Sequence, residues 1–104
     1  MIRINVISKN KKLKKITIRG HAEYADYGKD IVCAAVSATY ICTVNAILKL
    51  NENSIKINSK DNLQEIIVVK NEQVTQTLLD NMISCLLSLT KQYPKNIDLV
   101  KEEK

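Results

Sequence analysis

The run Ile31-Val32-Cys33-Ala34-Ala35-Val36-Ser37-Ala38-Thr39-Tyr40-Ile41-Cys42-Thr43-Val44-Asn45-Ala46-Ile47-Leu48 carries no charge over 18 residues, and its reading decides the fold. An uncharged stretch of about that length is where the signal for a membrane-spanning helix begins. Ser37, Thr39, Thr43 and Asn45 dilute the run, and its four alanines make it weakly apolar. A helix of about Ile31 to Leu50, covered on more than one side, accounts for the composition better. One face would lie on a sheet, the other against a partner helix or a second subunit.

The flanking segments supply that sheet. From Met1 to Ser8, Ile2, Ile4 and Val6 alternate with Arg3 and Asn5, the period of a half-buried strand. Beyond a turn at Lys9–Lys12, Ile16 and Ile18 resume the alternation toward Gly20, so the pair reads as a hairpin. Residues 54–59 and 63–70 form a second pair, joined by Lys60-Asp61-Asn62. A second helix is predicted from Gln73 to Tyr93, with Val74, Leu78, Met82, Leu86, Leu89 and Tyr93 on one face. Asn71 is its candidate cap and Pro94 its stop. A last strand is predicted at Asn96–Val100. The order strand-strand-helix-strand-strand-helix-strand describes a single α+β domain over residues 1–104, a mostly antiparallel two-layer arrangement with both helices on the sheet.

The chain has 104 residues, 45% of them hydrophobic and 26% charged. This is globular composition, which excludes a disordered tail, a collagen-like chain or a disulfide-stapled miniprotein. Three cysteines at irregular positions do not make a secreted disulfide framework. Arg3, Lys9, Lys11 and Lys12 interrupt every early apolar run, against a signal peptide. A reducing cytoplasm is the expected compartment. The formal net charge is +5, and the excess lies in residues 1–20, where Arg3, Lys9, Lys11, Lys12, Lys14, Lys15 and Arg19 meet no acid. Such a patch attracts nucleic acid or acidic surfaces. It serves equally as a wet hairpin turn that resists edge-to-edge pairing, the reading we favour.

Chemistry concentrates in Gly20-His21-Ala22-Glu23-Tyr24-Ala25-Asp26-Tyr27-Gly28-Lys29-Asp30-Ile31-Val32-Cys33. The chain's single histidine stands where a strand ends, and twelve residues later a cysteine stands in the first turn of a helix. With Asp30 as N-cap, Ile31, Val32 and Cys33 are the first three helical positions. A thiol there meets backbone N–H groups and the positive end of the helix dipole, which favour thiolate. A neighbouring histidine can take its proton. The same N–H groups are candidates for an oxyanion hole. Each residue alone has an ordinary explanation: a surface histidine, a core cysteine, a helix cap. Together they are the minimum equipment of a cysteine protease. The chain's two glycines, Gly20 and Gly28, flank the loop, and Tyr24 and Tyr27 lie between them, the composition of a lid over residues Ala22 to Lys29.

Cys33 and Cys42 are nine positions apart and point to opposite sides of a helix. Cys85 lies on the other helix, so no zinc site is expected. Cys42 and Cys85 read as core residues. With two glycines there is no phosphate-binding loop.

Gly20-His21-Ala22 followed by Gly28-Lys29-Asp30-Ile31-Val32-Cys33-Ala34-Ala35-Val36-Ser37 resembles the signature of the ribosomal-processing cysteine protease family Prp. Length and element order fit over the whole chain; the specific part is residues 20–37. The resemblance implies a catalytic dyad of His21 and Cys33, with no cofactor. It also implies a homodimer, a mobile loop over the active site, and as substrate the N-terminal extension of a large-subunit ribosomal protein. Asp30 would cap the helix and orient the histidine, and Ser37, one turn beyond Cys33, would support the site. The rival reading is a non-enzymatic RNA- or ribosome-binding module using the basic hairpin. Direct RNA binding is disfavoured, because no predicted strand carries an aromatic residue on which a base could stack.

Overall fold

Alternating isoleucines make the sheet. The computed structural model describes residues 1–22, 24–26 and 30–104. Strand β1 (Ile2–Lys9) buries Ile2, Ile4 and Val6, and β2 (Lys12–Arg19) buries Ile16 and Ile18 on the same face. They pair antiparallel through a two-residue turn in which Asn10 and Lys11 both have positive φ. This backbone matches the twist of the strands it joins. The register shifts after Ile7, leaving Lys14 as the extra residue of a bulge. Beside it, Gln76 takes up both backbone groups of Leu13, accepting its N–H at 2.8 Å and donating to its carbonyl at 3.0 Å.

Strands β3 (Ile55–Lys60) and β4 (Leu63–Val68) form the second hairpin, and β5 (Ile97–Glu103) closes the chain. The sheet order is β3-β4-β2-β1-β5. Every pairing is antiparallel except that of β1 with β5, which is parallel. The last strand runs to Glu103, beyond the expected Val100, and the Glu103 carboxylate accepts the Lys11 N–H of the first turn at 2.9 Å.

Helix α1 (Ile31–Leu50) has the predicted limits. It is long and apolar enough to cross a membrane, yet here Val32, Val36, Tyr40, Val44 and Ile47 form a buried stripe within the core. Helix α2 (Gln73–Gln92) packs beside it. Two details of α2 differ from expectation. The N-cap is Glu72 rather than Asn71, and it makes no side-chain capping bond. The buried face centres on Thr75, Leu79, Met82, Ile83 and Leu86, with Val74 exposed. Met82 and Leu86 are buried as expected, and Leu78, Leu89 and Tyr93 pack partly buried against the core, while Thr75, Leu79 and Ile83 take the centre of the face and Val74 turns outward. Cys42 and Cys85 are both exposed, against the expectation of core positions. Cys42 lies off the α1 stripe, and Cys85 lies between the stripe residues Ile83 and Leu86 on the outward side.

Candidate active site

Gly20 ends β2 with φ +90°, a left-handed conformation in which a side chain would be strained. A Cβ on it would sit 2.5 Å from the Met1 carbonyl oxygen, so only glycine lets the chain turn off the sheet this close to β1. The Gly20 N–H still donates to the Asn62 carbonyl at 3.0 Å, which fixes the exit point. His21 follows, exposed, and then Ala22, buried.

Asp30 sets the other side. One carboxylate oxygen accepts the N–H groups of Val32 and Cys33, each at 3.0 Å, and the second accepts the Tyr24 N–H at 3.0 Å. The cap therefore ties the helix start to the preceding loop. Burial pushes the Asp30 carboxyl up, but hydrogen bonds from the Cys33, Tyr24 and Ala25 backbone outweigh it and hold the group below its ordinary value. The Val32 and Cys33 N–H groups are thus occupied by Asp30, which removes them as the expected oxyanion donors. No hydrogen bond joins Asp30 to His21 among the described residues; the carboxylate serves backbone N–H groups and the Cys33 side chain.

Cys33 is half-buried in the first turn of α1, and its Sγ accepts the Ala22 N–H at 3.2 Å. A cavity of about 270 Å³ opens beside it, lined by His21, Cys33 and Ser37, with Asn62 and Gln64 opposite and Ile2, Ile18 and Val36 as apolar walls. The structure thus brings His21, Cys33 and Ser37 to one cavity from the end of β2 and the first two turns of α1. A larger cavity of about 370 Å³ lies at the far end of the sheet, lined by Ser8, Leu13, Gln76 and Asp80 among others, and holds no histidine or cysteine. The smaller one is where His21 and Cys33 meet.

Of the expected lid, Ala22, Tyr24, Ala25 and Asp26 are described, and the Tyr24 ring meets Tyr93 edge-on at 5.5 Å. Glu23, Tyr27, Gly28 and Lys29 lie outside the described residues. Among the described residues no group of three or more His, Cys, Asp or Glu is placed to hold a metal ion. Sequence reading missed Asn96, whose side chain donates to the Ala22 carbonyl at 2.9 Å. It stood in a predicted strand with no local signal to distinguish it.

Comparison with known proteins converges on this geometry. The model of the cysteine protease Prp family matches residues 1–98. A ribosomal processing cysteine protease Prp of Staphylococcus aureus is 33% identical over 103 residues, covering 95% of this chain and 97% of that protein. Two crystal structures of the S. aureus Prp superpose closely. One has a covalently linked product peptide (TM-score 0.93, 32% identity, 98% of this chain and 100% of that one). The other holds a substrate peptide (TM-score 0.87, 31% identity, with the same coverage). A match over nearly the full length, with a cysteine and a histidine meeting at one cavity, makes this chain a member of the cysteine protease Prp family.

Proposed function

We propose that this chain is a cytoplasmic cysteine endopeptidase that removes the N-terminal extension of a large-subunit ribosomal protein, with Cys33 as nucleophile and His21 as general acid–base. The observation that carries the assignment is the shared cavity: His21 and Cys33 line it together, and the Cys33 sulfur is already oriented by the Ala22 N–H. The S. aureus relative with a covalently linked product peptide supports a nucleophilic route.

His21 takes the thiol proton, and the sulfur attacks the scissile carbonyl carbon to give a tetrahedral intermediate. Its collapse breaks the C–N bond, and His21 returns the proton to the departing amine. The remaining thioester is attacked by water, which His21 deprotonates, releasing the carboxylate product and restoring Cys33. Asp30 holds the helix start under the nucleophile. Ser37, exposed and lining the cavity one turn beyond Cys33, would contact the bound peptide.

The same reading includes a homodimer. Ile31, Ala34, Ala38 and Ile41 are exposed on the outward side of α1, with Ile31 at 55% and Ile41 at 52% of full exposure. A second copy covering this stripe buries it as a two-fold interface does. The RNA-binding alternative is weaker, because among the described residues no strand carries an aromatic residue. The decisive experiment incubates the protein with a peptide spanning the extension and the mature N-terminus, and reads the products by mass spectrometry. Cleavage at one bond that disappears in Cys33→Ala and in His21→Ala is expected. Cleavage retained in Cys33→Ala overturns the assignment.

A further inference from the structure

Ala22 is held at both ends. Its N–H donates to Cys33 Sγ at 3.2 Å, its carbonyl accepts from Asn96 Nδ2 at 2.9 Å, and the residue is 2% exposed. Asn96 is itself fixed from two further directions. Its carbonyl accepts the Ile2 N–H at 2.8 Å, at the start of β1, and its own N–H donates to the Tyr93 carbonyl at 3.0 Å, at the end of α2. A single side chain thus connects the turn between α2 and β5 to the backbone that meets the sulfur, 74 residues away in sequence.

We infer that Asn96 is a positioning residue of the active site, acting through the Ala22 backbone to aim an N–H at the Cys33 sulfur and to fix the adjoining His21. An uncharged donor suits this place. The Ala22 oxygen is an acceptor, so its partner must donate, and a side chain of this reach must do so without a charge beside the dyad. A carbonyl oxygen leaves the Asn96 amide one orientation. Without that bond Ala22 is free to rotate about its flanking dihedrals. The N–H then drifts from the sulfur, and His21, one residue before, drifts with it. Small misplacements of this kind cost turnover rather than binding. The inference rests on Cys33 being the nucleophile.

The test compares wild type with Asn96→Ala and Asn96→Asp, the second keeping size while exchanging donor for acceptor. Each is measured by kcat and KM on the extension peptide and by the rate of Cys33 alkylation at pH 7. For both variants kcat is expected to fall by about tenfold or more with KM nearly unchanged. Cys33 alkylation should slow relative to Cys85 in the same molecule. A melting temperature that falls while kcat per folded molecule and Cys33 alkylation stay at wild-type values makes Asn96 merely structural and overturns the proposal. If neither variant folds, wild-type protein decides. Methylthiolation of Cys33 should shift both the Ala22 backbone and the Asn96 side-chain amide resonances, and an Asn96 resonance that does not move overturns the proposal. Failure of the nucleophile assignment looks different: wild type would then be inactive, or Cys33→Ala active.

Discussion

The Ala22 N–H meets Cys33 Sγ at 3.2 Å, so the residue after the histidine touches the cysteine directly. The strand end and the helix start are therefore one site before any substrate arrives. This sulfur has an N–H donor and a place in the first helical turn, and among the described residues the other two thiols have neither.

This predicts which cysteine reacts first. Cys42 and Cys85 are exposed and Cys33 is only half so. Access alone would therefore label Cys33 last. With limiting iodoacetamide at neutral pH, followed by peptide mapping, Cys33 should be modified ahead of Cys85, by about tenfold or more if thiolate fraction dominates. In denatured protein the three should react alike. Labelling in order of exposure would remove the case for an activated thiol.

A second prediction concerns Gly20→Ala. The new Cβ would lie 2.5 Å from the Met1 carbonyl and would force a side chain into φ +90°. The backbone term alone is on the order of 1–3 kcal/mol. Relief requires Met1 to move, and with it Ile2, which lines the cavity shared by His21 and Cys33. Denaturant melts should show the loss of stability. Peptide cleavage by the folded protein should fall as well, because His21 is the next residue. Wild-type stability and turnover together would mean that the strand exit is softer than its geometry indicates.

The third prediction tests the core of α1. Burial pushes the Tyr40 phenol up, with the Ser59 side chain acting the other way. Ser59 directs its own hydroxyl to Gln64. Among the described residues the Tyr40 hydroxyl is the buried side-chain polar atom left without a hydrogen-bond partner. Tyr40→Phe removes that orphaned group and keeps the ring, so it should be neutral or stabilising by about 1 kcal/mol. Urea melts read this directly. A clear destabilisation would reveal a partner for the hydroxyl in solution, and the neighbouring Ser59 side chain is the candidate.

Much of this was legible in the sequence, for reasons that differ by residue. The limits of α1 and the Asp30 cap follow from local chemistry, as does the placement of Cys33 in the first turn: an acceptor side chain just before an uncharged apolar run. The isoleucine alternation gave the strands their faces. It did not give their order, because nothing local to Ile2 or Ile97 announces that β1 and β5 pair in parallel. Leu78 and Leu79 are adjacent apolar residues, each with helical partners, so periodicity alone could not say which of them centres the buried face of α2. Cys42 and Cys85 read as core by residue type, whereas their exposure follows from which stripe the neighbouring helix covers. Asn96 was invisible because its role is a contact across 74 residues.

The last prediction concerns acid. Asp30 has its carboxyl held below the ordinary value by backbone donors in the folded state, against the opposing effect of its burial. A group with a depressed folded value contributes stability that is fully present above the ordinary carboxylate range, about pH 4. That contribution disappears as pH falls through the folded value. In Asp30→Asn the amide oxygen can still accept one N–H, but the charge is gone, and the Tyr24 and helix N–H groups no longer share two acceptor oxygens. Wild type should therefore melt above Asp30→Asn at pH 7. The gap should narrow below about pH 4 and close once wild-type Asp30 is protonated. Peptide cleavage by Asp30→Asn at neutral pH should fall as well, since the carboxylate fixes the turn that carries Cys33 relative to the loop that carries Tyr24. Thermal melts of the two proteins across pH 2–7 provide the measurement. A gap that stays constant with pH would show that Asp30 acts through shape rather than charge.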